Sequence, residues 1–198
     1  PEKDSLYTQS NCFGNIVEEF LDIRDFERVH KFVRTIKPSA IFHLAAKPLV
    51  IDSYLEPRET FEVNVMGTVN LLDIAQRVDS VKAIVSASTD KVYRNINQVA
   101  GYVESDPLGG HDPYSSSKAM ADLLTQSWSS SFPGAPTTIV RAGNVIGGGD
   151  VSKDRLMPDL ISAYMNNKVP TLRYPNSVRP WQHVLDCLNG YLMVSESL

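Results

Sequence analysis

Cysteine is scarce in this sequence of 198 residues, which contains only Cys12 and Cys187, far apart and outside any C-x-x-C pattern. We therefore expect reduced thiols, as in a cytoplasmic protein, rather than a disulfide framework. The four histidines show no metal-ligand spacing, so we predict no metal site. No apolar run approaches the roughly 18 residues of a membrane span, and no signal peptide is visible. We expect no membrane partner.

An excess of positive charge is also missing. The sequence has 19 Lys and Arg against 23 Asp and Glu, a formal net charge of -4. Because nucleic-acid-binding proteins usually carry the opposite excess, we expect no nucleic-acid partner. Single arginines can still hold a small phosphorylated ligand. The content of hydrophobic residues, 42%, is enough for a soluble globular protein with a sizeable core.

A glycine-rich phosphate-binding loop is the third absence. A dinucleotide-binding sheet normally opens with a strand and G-x-G-x-x-G, where a helix N-terminus receives the pyrophosphate. Nothing before residue 39 has that form, and the glycine cluster at 147–149 follows a late strand without a P-loop lysine. We infer that one strand-helix-strand unit of roughly 30 or more residues is missing upstream.

Strand-like and helix-like segments alternate along the chain. Strands are predicted at 18–23, 39–46, 81–88 and 137–145, and helices at 25–37, 57–78, 114–131, 156–166 and 184–198. The alternation predicts an α/β fold with a Rossmann-like, doubly wound parallel sheet that lacks its first strand-helix-strand unit. Ligands of such sheets bind beyond the carboxyl ends of the strands, where the polar clusters of this chain fall.

The stretch HDPYSSSKAMAD places Tyr114 four residues before Lys118, so both share one face of the predicted helix. A nearby ammonium favours the phenolate and lowers the tyrosine pKa from about 10. Such a tyrosine can take a proton from an alcohol while hydride leaves the same carbon. Chance matches to this spacing are common, and a solvated helix pair is the alternative interpretation.

The polar run Ser88, Thr89, Asp90 and Lys91 directly follows an apolar strand, whose end we expect to face the start of the helix carrying Tyr114. A hydroxyl there can bond a substrate oxygen. A carboxylic acid whose pKa is raised by burial can donate a proton to a leaving hydroxyl. A turn with an Asp cap is the alternative, but the two patterns in this order favour a reaction site.

Three further polar residues have two interpretations each. The guanidinium of Arg179 can donate two parallel hydrogen bonds to diphosphate oxygens, or it is a surface group before a proline. The amide of Asn144 can bind a sugar hydroxyl or phosphate at a strand end, or it stands in a turn. The carboxylate of Asp22 can accept from an adenine amine, or it caps the following helix.

The order of several segments is similar to that of the extended short-chain dehydrogenase/reductases and, more closely, the CDP-glucose 4,6-dehydratases of the nucleotide-sugar epimerase/dehydratase family. The segments are HLAAKP, NVMGTVNLLD, STDKVY, GGHDPYSSSKAMAD, RAGNVIGGGD, RLMPDLI and RPWQHVLDCLNGYL. The resemblance runs from about residue 15 to the end. It implies a partial NAD-binding Rossmann domain over 1–146, and a partial C-terminal substrate lobe with interleaved Rossmann elements over 147–198.

The resemblance implies an NAD-dependent lyase that converts CDP-glucose to CDP-4-keto-6-deoxyglucose, with hydride leaving C4 and returning to C6. Tyr114 would be the catalytic base, and Lys118 would tune it and hold the nicotinamide ribose. Thr89 would bond the C4 oxygen, and Asp90 would protonate the departing C6 hydroxyl. Lys91 stands where dTDP-glucose relatives have the glutamate that removes the C5 proton.

The resemblance also implies binding residues and an assembly. The implied cofactor contacts are Asp22, Ile23, Ala45, Ala46, Lys47, Tyr114 and Lys118, and the implied substrate contacts are Ser88, Asn144 and Arg179. We expect a homodimer or homotetramer in which the helices 57–78 and 114–131 pack as a four-helix interface.

The sequence departs from the family pattern at several points. Besides the missing glycine-rich loop, Val151 replaces a tryptophan, and Arg94 and Ala100 stand where Glu and Trp are expected. We therefore expect a truncated dehydratase chain. The alternatives are a nucleotide-sugar 4-epimerase, which shares Y-x-x-x-K but needs no acid at C6, and a non-catalytic remnant without the cofactor loop.

Overall fold

Three parallel strands with helices between them form the sheet that carries most of the predicted site residues. The computed structural model of the protein describes residues 6–10, 16–152 and 154–198. These residues divide into two units, one formed by 19–142 with 189–198 and the other by 143–188 with the described part of 1–18. Within the described residues the strands are β1 Ala40–His43, β2 Ala83–Thr89, β3 Thr137–Ala142, β4 Asn144–Ile146 and β5 Trp181–His183. The helices are α1 Leu6–Ser10, α2 Phe26–Ile36, α3 Val50–Leu55, α4 Pro57–Phe61, α5 Gly67–Gln76, α6 Pro113–Ser131, α7 Leu156–Met165 and α8 Val184–Glu196.

The sheet of the first unit has the order β1-β2-β3, and both pairings are parallel. The register pairs His43 with Ser86 and Thr89 with Ala142. Helices α3 to α5 connect β1 to β2, and α6 connects β2 to β3. The prediction of an α/β fold with a parallel sheet is confirmed, and the carboxyl ends of its strands lie at one edge.

The core of this unit is built mainly from branched aliphatic side chains. Trp128 packs against it. Burial of each Val, Leu or Ile side chain contributes about 1.5–3 kcal/mol. The buried cluster consists of Val29, Val33, Leu72, Ile74, Ala75, Val78, Val81 and Ile84.

Two aspartates fix the starts of the helices that flank the site. Asp25 caps α2, because its carboxylate accepts the N–H of Arg28 at 3.1 Å. The alternative that Asp22 caps this helix is therefore wrong. Asp112 caps α6 by accepting the N–H of Ser115 at 2.8 Å, and a proline follows at the first helical position.

The helix predicted at 57–78 is present but not uniform. Its first five residues form α4 and its last ten form α5, and between them Glu62–Met66 form a π-helical turn. Pro57 opens the helix, as predicted. A π-helical turn widens the local backbone and often marks a functional site.

Two strand predictions need correction. Residues 18–23 form no strand, because none of the described strands pairs with them. The predicted strand 39–46 is limited to β1, where only His43 is buried. The other residues of β1 are half-buried, since this strand lies at the edge of the described sheet and has one neighbour.

The strand predicted at 137–145 is divided at Gly143. A Cβ atom at this position would lie 2.9 Å from the carbonyl oxygen of Pro180, so only glycine allows this approach. The N–H of Asn144 donates to the same oxygen at 2.8 Å. The chain therefore leaves β3 and enters β4, which pairs in parallel with β5.

The second unit contains β4, β5, α7 and the first part of α8. Strand β5 was not predicted, because three exposed residues give no usable periodicity. Cys187 is buried in α8 with a free thiol, and Cys12 lies outside the described residues. In the part of the chain that the structure describes, every helix is too short or too polar to pass through a bilayer.

Candidate active site

The carboxyl end of β2 carries the polar run that follows the apolar strand. Thr89 is the last residue of β2 and is buried, and Asp90–Val92 form a 3₁₀ turn directly after it. The hydroxyl of Thr89 donates to Asp90 Oδ1 at 3.1 Å and accepts the N–H of Lys91 at 3.4 Å. These contacts hold the hydroxyl at the strand end, beside the half-buried carboxyl group of Asp90.

Helix α6 brings Tyr114 and Lys118 to the same edge. The N–H of Tyr114 donates to Ser53 Oγ at 3.1 Å, which fixes the first turn of the helix. One turn later, the buried Lys118 donates from Nζ to the carbonyl oxygen of Ala87 in β2 at 2.6 Å. Burial lowers the pKa of Lys118 to about 8, against the opposing effect of the nearby Asp122 carboxylate. The lysine thus ties the helix to the strand end.

The side chains of Lys91 and Tyr114 meet between strand and helix. Lys91 Nζ lies 5.9 Å from the centroid of the Tyr114 ring, within the range of a cation–π contact. Lys91 is exposed and Tyr114 is half-buried, so both are accessible to a ligand. The structure therefore gathers at one edge the five residues predicted to do chemistry: Thr89, Asp90, Lys91, Tyr114 and Lys118.

Ser88, predicted to contact the substrate, faces a buried ion pair. Its hydroxyl donates to Asp122 Oδ2 at 3.1 Å. Asp122 is fully buried and accepts two bonds from Arg141, at 2.8 and 2.9 Å, and one from Gln126 at 2.7 Å. Burial alone would raise the pKa of Asp122, but these donors outweigh it and hold the pKa below its usual value. The substrate contact of Ser88 stays a prediction.

Arg141 extends this network to the segment after β2. Its Nη1 donates to the hydroxyl of Tyr93 at 3.0 Å and to the carbonyl oxygen of Glu104 at 3.1 Å. One guanidinium thus joins β3, α6 and the loop that follows the 3₁₀ turn Asp90–Val92. Our reading of the sequence did not single out this pair. The available signal was an aspartate one helical turn after Lys118, on the same face.

The predicted adenine contact lies in a tight turn before α2. The carboxylate of Asp22 accepts the side chain of Arg24 at 2.5–3.0 Å and its backbone N–H at 2.9 Å. These bonds lower the pKa of Asp22 to about 2. The next residue, Ile23, packs against Gly67, where an added Cβ would lie 2.6 Å from Ile23 Cγ2. The turn therefore rests directly on helix α5.

The second predicted cofactor segment follows β1. Ala45 is exposed, and Ala46 and Lys47 are half-buried. The ammonium of Lys47 contacts the carboxylates of Glu56 and Glu59, and these contacts raise its pKa. Ala45 and Ala46 are small, so their side chains leave the backbone after Leu44 accessible to a ligand.

Asn144 and Arg179 belong to the second unit, where both line a cavity of about 620 Å³. Arg179 is exposed, and its Nη1 donates to the carbonyl oxygen of Val178 at 3.2 Å. Arg173, which our reading of the sequence missed, lines the same cavity and donates to the Asp154 carbonyl oxygen at 3.2 Å. The signal was a second arginine six residues before Arg179. Two guanidinium groups on one cavity suit an anionic ligand.

A parallel sheet with crossover helices and a polar cluster at its carboxyl edge defines a doubly wound α/β protein with a ligand site at that edge. No group of three or more His, Cys, Asp or Glu side chains suited to a metal ion occurs among the described residues. Residues 5–198 match the model of the NAD dependent epimerase/dehydratase family, and the chain belongs to this family.

Individual relatives agree with this assignment. The chain is 48% identical over 185 residues to CDP-glucose 4,6-dehydratase of Salmonella typhimurium, covering 89% of the chain and 52% of the relative. A double mutant of the dTDP-glucose 4,6-dehydratase DesIV from Streptomyces venezuelae, solved with NAD bound, has a TM-score of 0.84 at 28% identity, covering 94% of this chain and 56% of its own. The structure of UDP-glucose 4-epimerase from Thermotoga maritima has a TM-score of 0.86 at 22% identity, covering 94% of this chain and 61% of its own. At this identity it supports the fold alone.

The comparisons confirm the Rossmann-like fold and the resemblance to CDP-glucose 4,6-dehydratases that the sequence segments indicated. The chain spans about half the length of the curated relatives it matches.

Proposed function

We propose that this protein is a nucleotide-sugar 4,6-dehydratase that acts on CDP-glucose with NAD as its bound cofactor. The observation that carries the proposal is the contact of Lys91 with the ring of Tyr114, 5.9 Å from ammonium to centroid. This contact supports the proposal, because Tyr114 would be the base for alcohol oxidation and Lys91 one of the groups that act in dehydration. The 48% identical dehydratase supports the same reaction and the same nucleotide.

The carboxyl edge of the first unit fits the two ends of a dinucleotide. The carboxylate of Asp22 accepts bonds from Arg24 on both oxygens and would exchange one of them to accept from an adenine amine. Tyr114 and Lys118 would hold the nicotinamide ribose at the other end, with Ala46 along the strand end. NAD, when bound, accepts hydride from C4 of the sugar and returns it to C6.

Oxidation at C4 needs a base for the hydroxyl proton, and Tyr114 takes that role. Lys118, fixed to the Ala87 carbonyl, places its positive charge next to the first turn of α6 and favours the phenolate. The hydroxyl of Thr89 would bond the C4 oxygen, and because a hydroxyl has one proton it must leave Asp90 to donate there.

Dehydration follows because a ketone at C4 acidifies the proton at C5. To take the C5 proton, Lys91 must act as the neutral amine, and Asp90 would give a proton to the C6 hydroxyl, which leaves as water. A proton then returns to C5 as hydride returns to C6. One water is lost and no net oxidation occurs, so the reaction needs no second substrate.

The second unit would hold the nucleotide part of the substrate. Its cavity offers Arg173 and Arg179 for the diphosphate, and the amide of Asn144 for an oxygen of the sugar or phosphate. The substrate contact of Ser88 is a separate proposal that concerns the first unit alone.

The test uses the protein at its full natural length, because the given sequence contains no G-x-G-x-x-G loop. CDP-, dTDP-, GDP- and UDP-glucose are offered separately with NAD, and mass spectrometry detects the loss of one water. Water loss from the CDP sugar alone supports both reaction and substrate. An unchanged mass with a new sugar configuration would establish an epimerase instead, and failure to bind NAD would favour a non-catalytic remnant.

We also propose that the protein assembles as a dimer or tetramer through the helical segments 57–76 and 113–131. These segments pack on each other within the first unit. Each exposes large apolar side chains, among them Met66, Met120 and Leu123. Exposed apolar side chains on paired helices are typical of an interface that is covered by a second copy.

A further inference from the structure

We propose that Asn64, Gly67 and Asn70 together form a positioning strip. This strip fixes the positions of two turns, 22–24 and 45–47, that line the proposed cofactor site. The proposal rests on the proposed function, because these turns matter only if they receive NAD. The three residues are spaced by three along the π-helical turn and α5, so they share one side of the helix. Asn64 and Gly67 are buried, and Asn70 is half-buried.

Asn64 holds the second turn by its backbone. Its Oδ1 accepts the N–H of Lys47 at 2.8 Å, and its Nδ2 donates to the carbonyl oxygen of Lys47 at 3.2 Å. Nδ2 also donates to Ser117 Oγ at 2.8 Å, and Ser117 donates on to the carbonyl oxygen of Tyr114 at 2.7 Å. One amide therefore joins the end of β1 to the helix that carries the catalytic tyrosine.

Two neighbouring groups keep Asn64 in this position. The hydroxyl of Thr68 donates to the Asn64 carbonyl oxygen at 2.7 Å and lies 2.9 Å from His43 Nε2. Because a hydroxyl has one proton, His43 must donate from Nε2 and Thr68 must accept. Burial and the nearby charge of Lys118 lower the pKa of His43 to about 4, so the ring stays neutral. The π-helical turn is thereby tied to the end of β1.

Gly67 and Asn70 hold the first turn. The Nδ2 of Asn70 donates to the carbonyl oxygens of Ile23 at 3.0 Å and Arg24 at 3.1 Å. Gly67 lets the Ile23 side chain rest on the helix backbone, because any Cβ there would come within 2.6 Å of it. The helix therefore holds the turn that carries Asp22 through Ile23 and Arg24, in addition to the bonds that Asp22 makes within the turn.

The two asparagines of the strip act on backbone groups and therefore work independently of the side chains at 24 and 47. Asn70 touches only the turn on the adenine side. Asn64 touches the other turn and, through Ser117, the helix of Tyr114. Loss of Asn70 should therefore weaken binding of the adenine half, whereas loss of Asn64 should release the segment 45–47.

The first experiment measures NADH binding by fluorescence and ADP binding by calorimetry in the full natural protein and in Asn70→Ala. Two hydrogen bonds of about 0.5–1.5 kcal/mol each are lost, so we expect both dissociation constants to rise about tenfold. The matched control is Asp73→Ala on the same helix, which loses only its bonds to Arg77. It should bind both ligands within about twofold of the wild type.

The second experiment tests each contact without relying on activity. In Asn64→Ser the amide of Lys47 should exchange with deuterium about tenfold faster than in the wild type, because its acceptor is gone. Gly67→Ala should weaken NADH binding in the wild-type background. The same substitution should have little further effect in the Ile23→Ala background, because the Ile23 Cγ2 atom that the new Cβ would meet is absent there.

The outcomes separate this proposal from the proposed function. The proposed role of the strip would be overturned if Asn70→Ala bound NADH and ADP as tightly as the wild type does. It would also be overturned if Gly67→Ala weakened NADH binding equally in the wild type and in Ile23→Ala. NADH binding without water loss from any nucleotide sugar would overturn only the proposed function. A wild-type protein that binds no NADH would overturn both.

Discussion

Lys118 shows how one residue serves both the fold and the site. Its ammonium is buried against β2 and bonded to the Ala87 carbonyl oxygen, and burial brings its pKa down to about 8. The Y-x-x-x-K spacing predicted that this lysine shares a helix face with Tyr114. It could not predict the contact with the strand, because that contact depends on how α6 packs on the sheet.

A pH dependence of stability follows from this pKa. Between about pH 8 and 10.5 the unfolded chain binds more protons than the folded chain at Lys118, so the free energy of unfolding rises with pH in that window. From pH 8 to pH 10 the wild type should gain roughly 2 kcal/mol over Lys118→Met. Urea unfolding of both proteins at the two pH values measures this difference. A constant difference would contradict the buried, charged lysine.

The Asp122–Arg141 pair gives a second prediction at this scale. Arg141→Met leaves a fully buried carboxylate without its main partner, which should cost about 3–5 kcal/mol at pH 7. The loss should shrink towards pH 5, because the unpaired Asp122 then binds a proton. The double variant Arg141→Met with Asp122→Leu serves as the control and should recover most of the loss. Urea unfolding at both pH values checks all three proteins.

A site residue could be predicted from the sequence when it lies at the end of a strand or the start of a helix, but not when it lies inside one. Thr89, Asp90 and Lys91 directly follow an apolar strand, and the parallel topology implies that strand ends meet at an edge. Asn64, Asp122 and Arg141 lie inside helices or strands. Their partners are distant in sequence, so no local pattern distinguishes them from packing residues.

At the scale of elements, helices were predicted better than strands. Helix periodicity and proline positions are local signals, and the bounds of α2, α6, α7 and α8 agree with the predictions within a few residues. A strand exists only through its neighbours, so the apolar segment at 18–23 did not become one. The π-helical turn could not be foreseen, because its residues keep an ordinary helical pattern.

The start of α6 gives a prediction for this scale. Asp112→Ala removes the acceptor of the Ser115 N–H and should lower the free energy of unfolding by about 1 kcal/mol. Asp112→Asn keeps an oxygen acceptor and is the matched control, with a smaller effect. Urea unfolding compares the two. Equal losses would show that the negative charge of Asp112, rather than the cap bond, stabilises the helix.

For the whole molecule, the exposed faces of the two long helical segments support the assembly that we propose. A stable dimer buries roughly 800 Å² on each partner, and apolar side chains dominate the centre of such an interface. Helices 57–76 and 113–131 expose Met66, Met120 and Leu123 to about half of their full extent, although these segments pack on each other. Burying them against the same helices of a second copy makes a four-helix interface.

Leu123→Glu should therefore disrupt the assembly, because it places two unpaired carboxylates at a twofold interface. Light scattering after size-exclusion chromatography should show twice or four times the chain mass for the wild type and a lower multiple for the variant. Ile36→Glu is the matched control, since Ile36 is 41% exposed but lies on α2, outside these helices. It should leave the mass unchanged. A monomeric wild type, or an equal effect of both variants, would show that these helix faces do not form the interface.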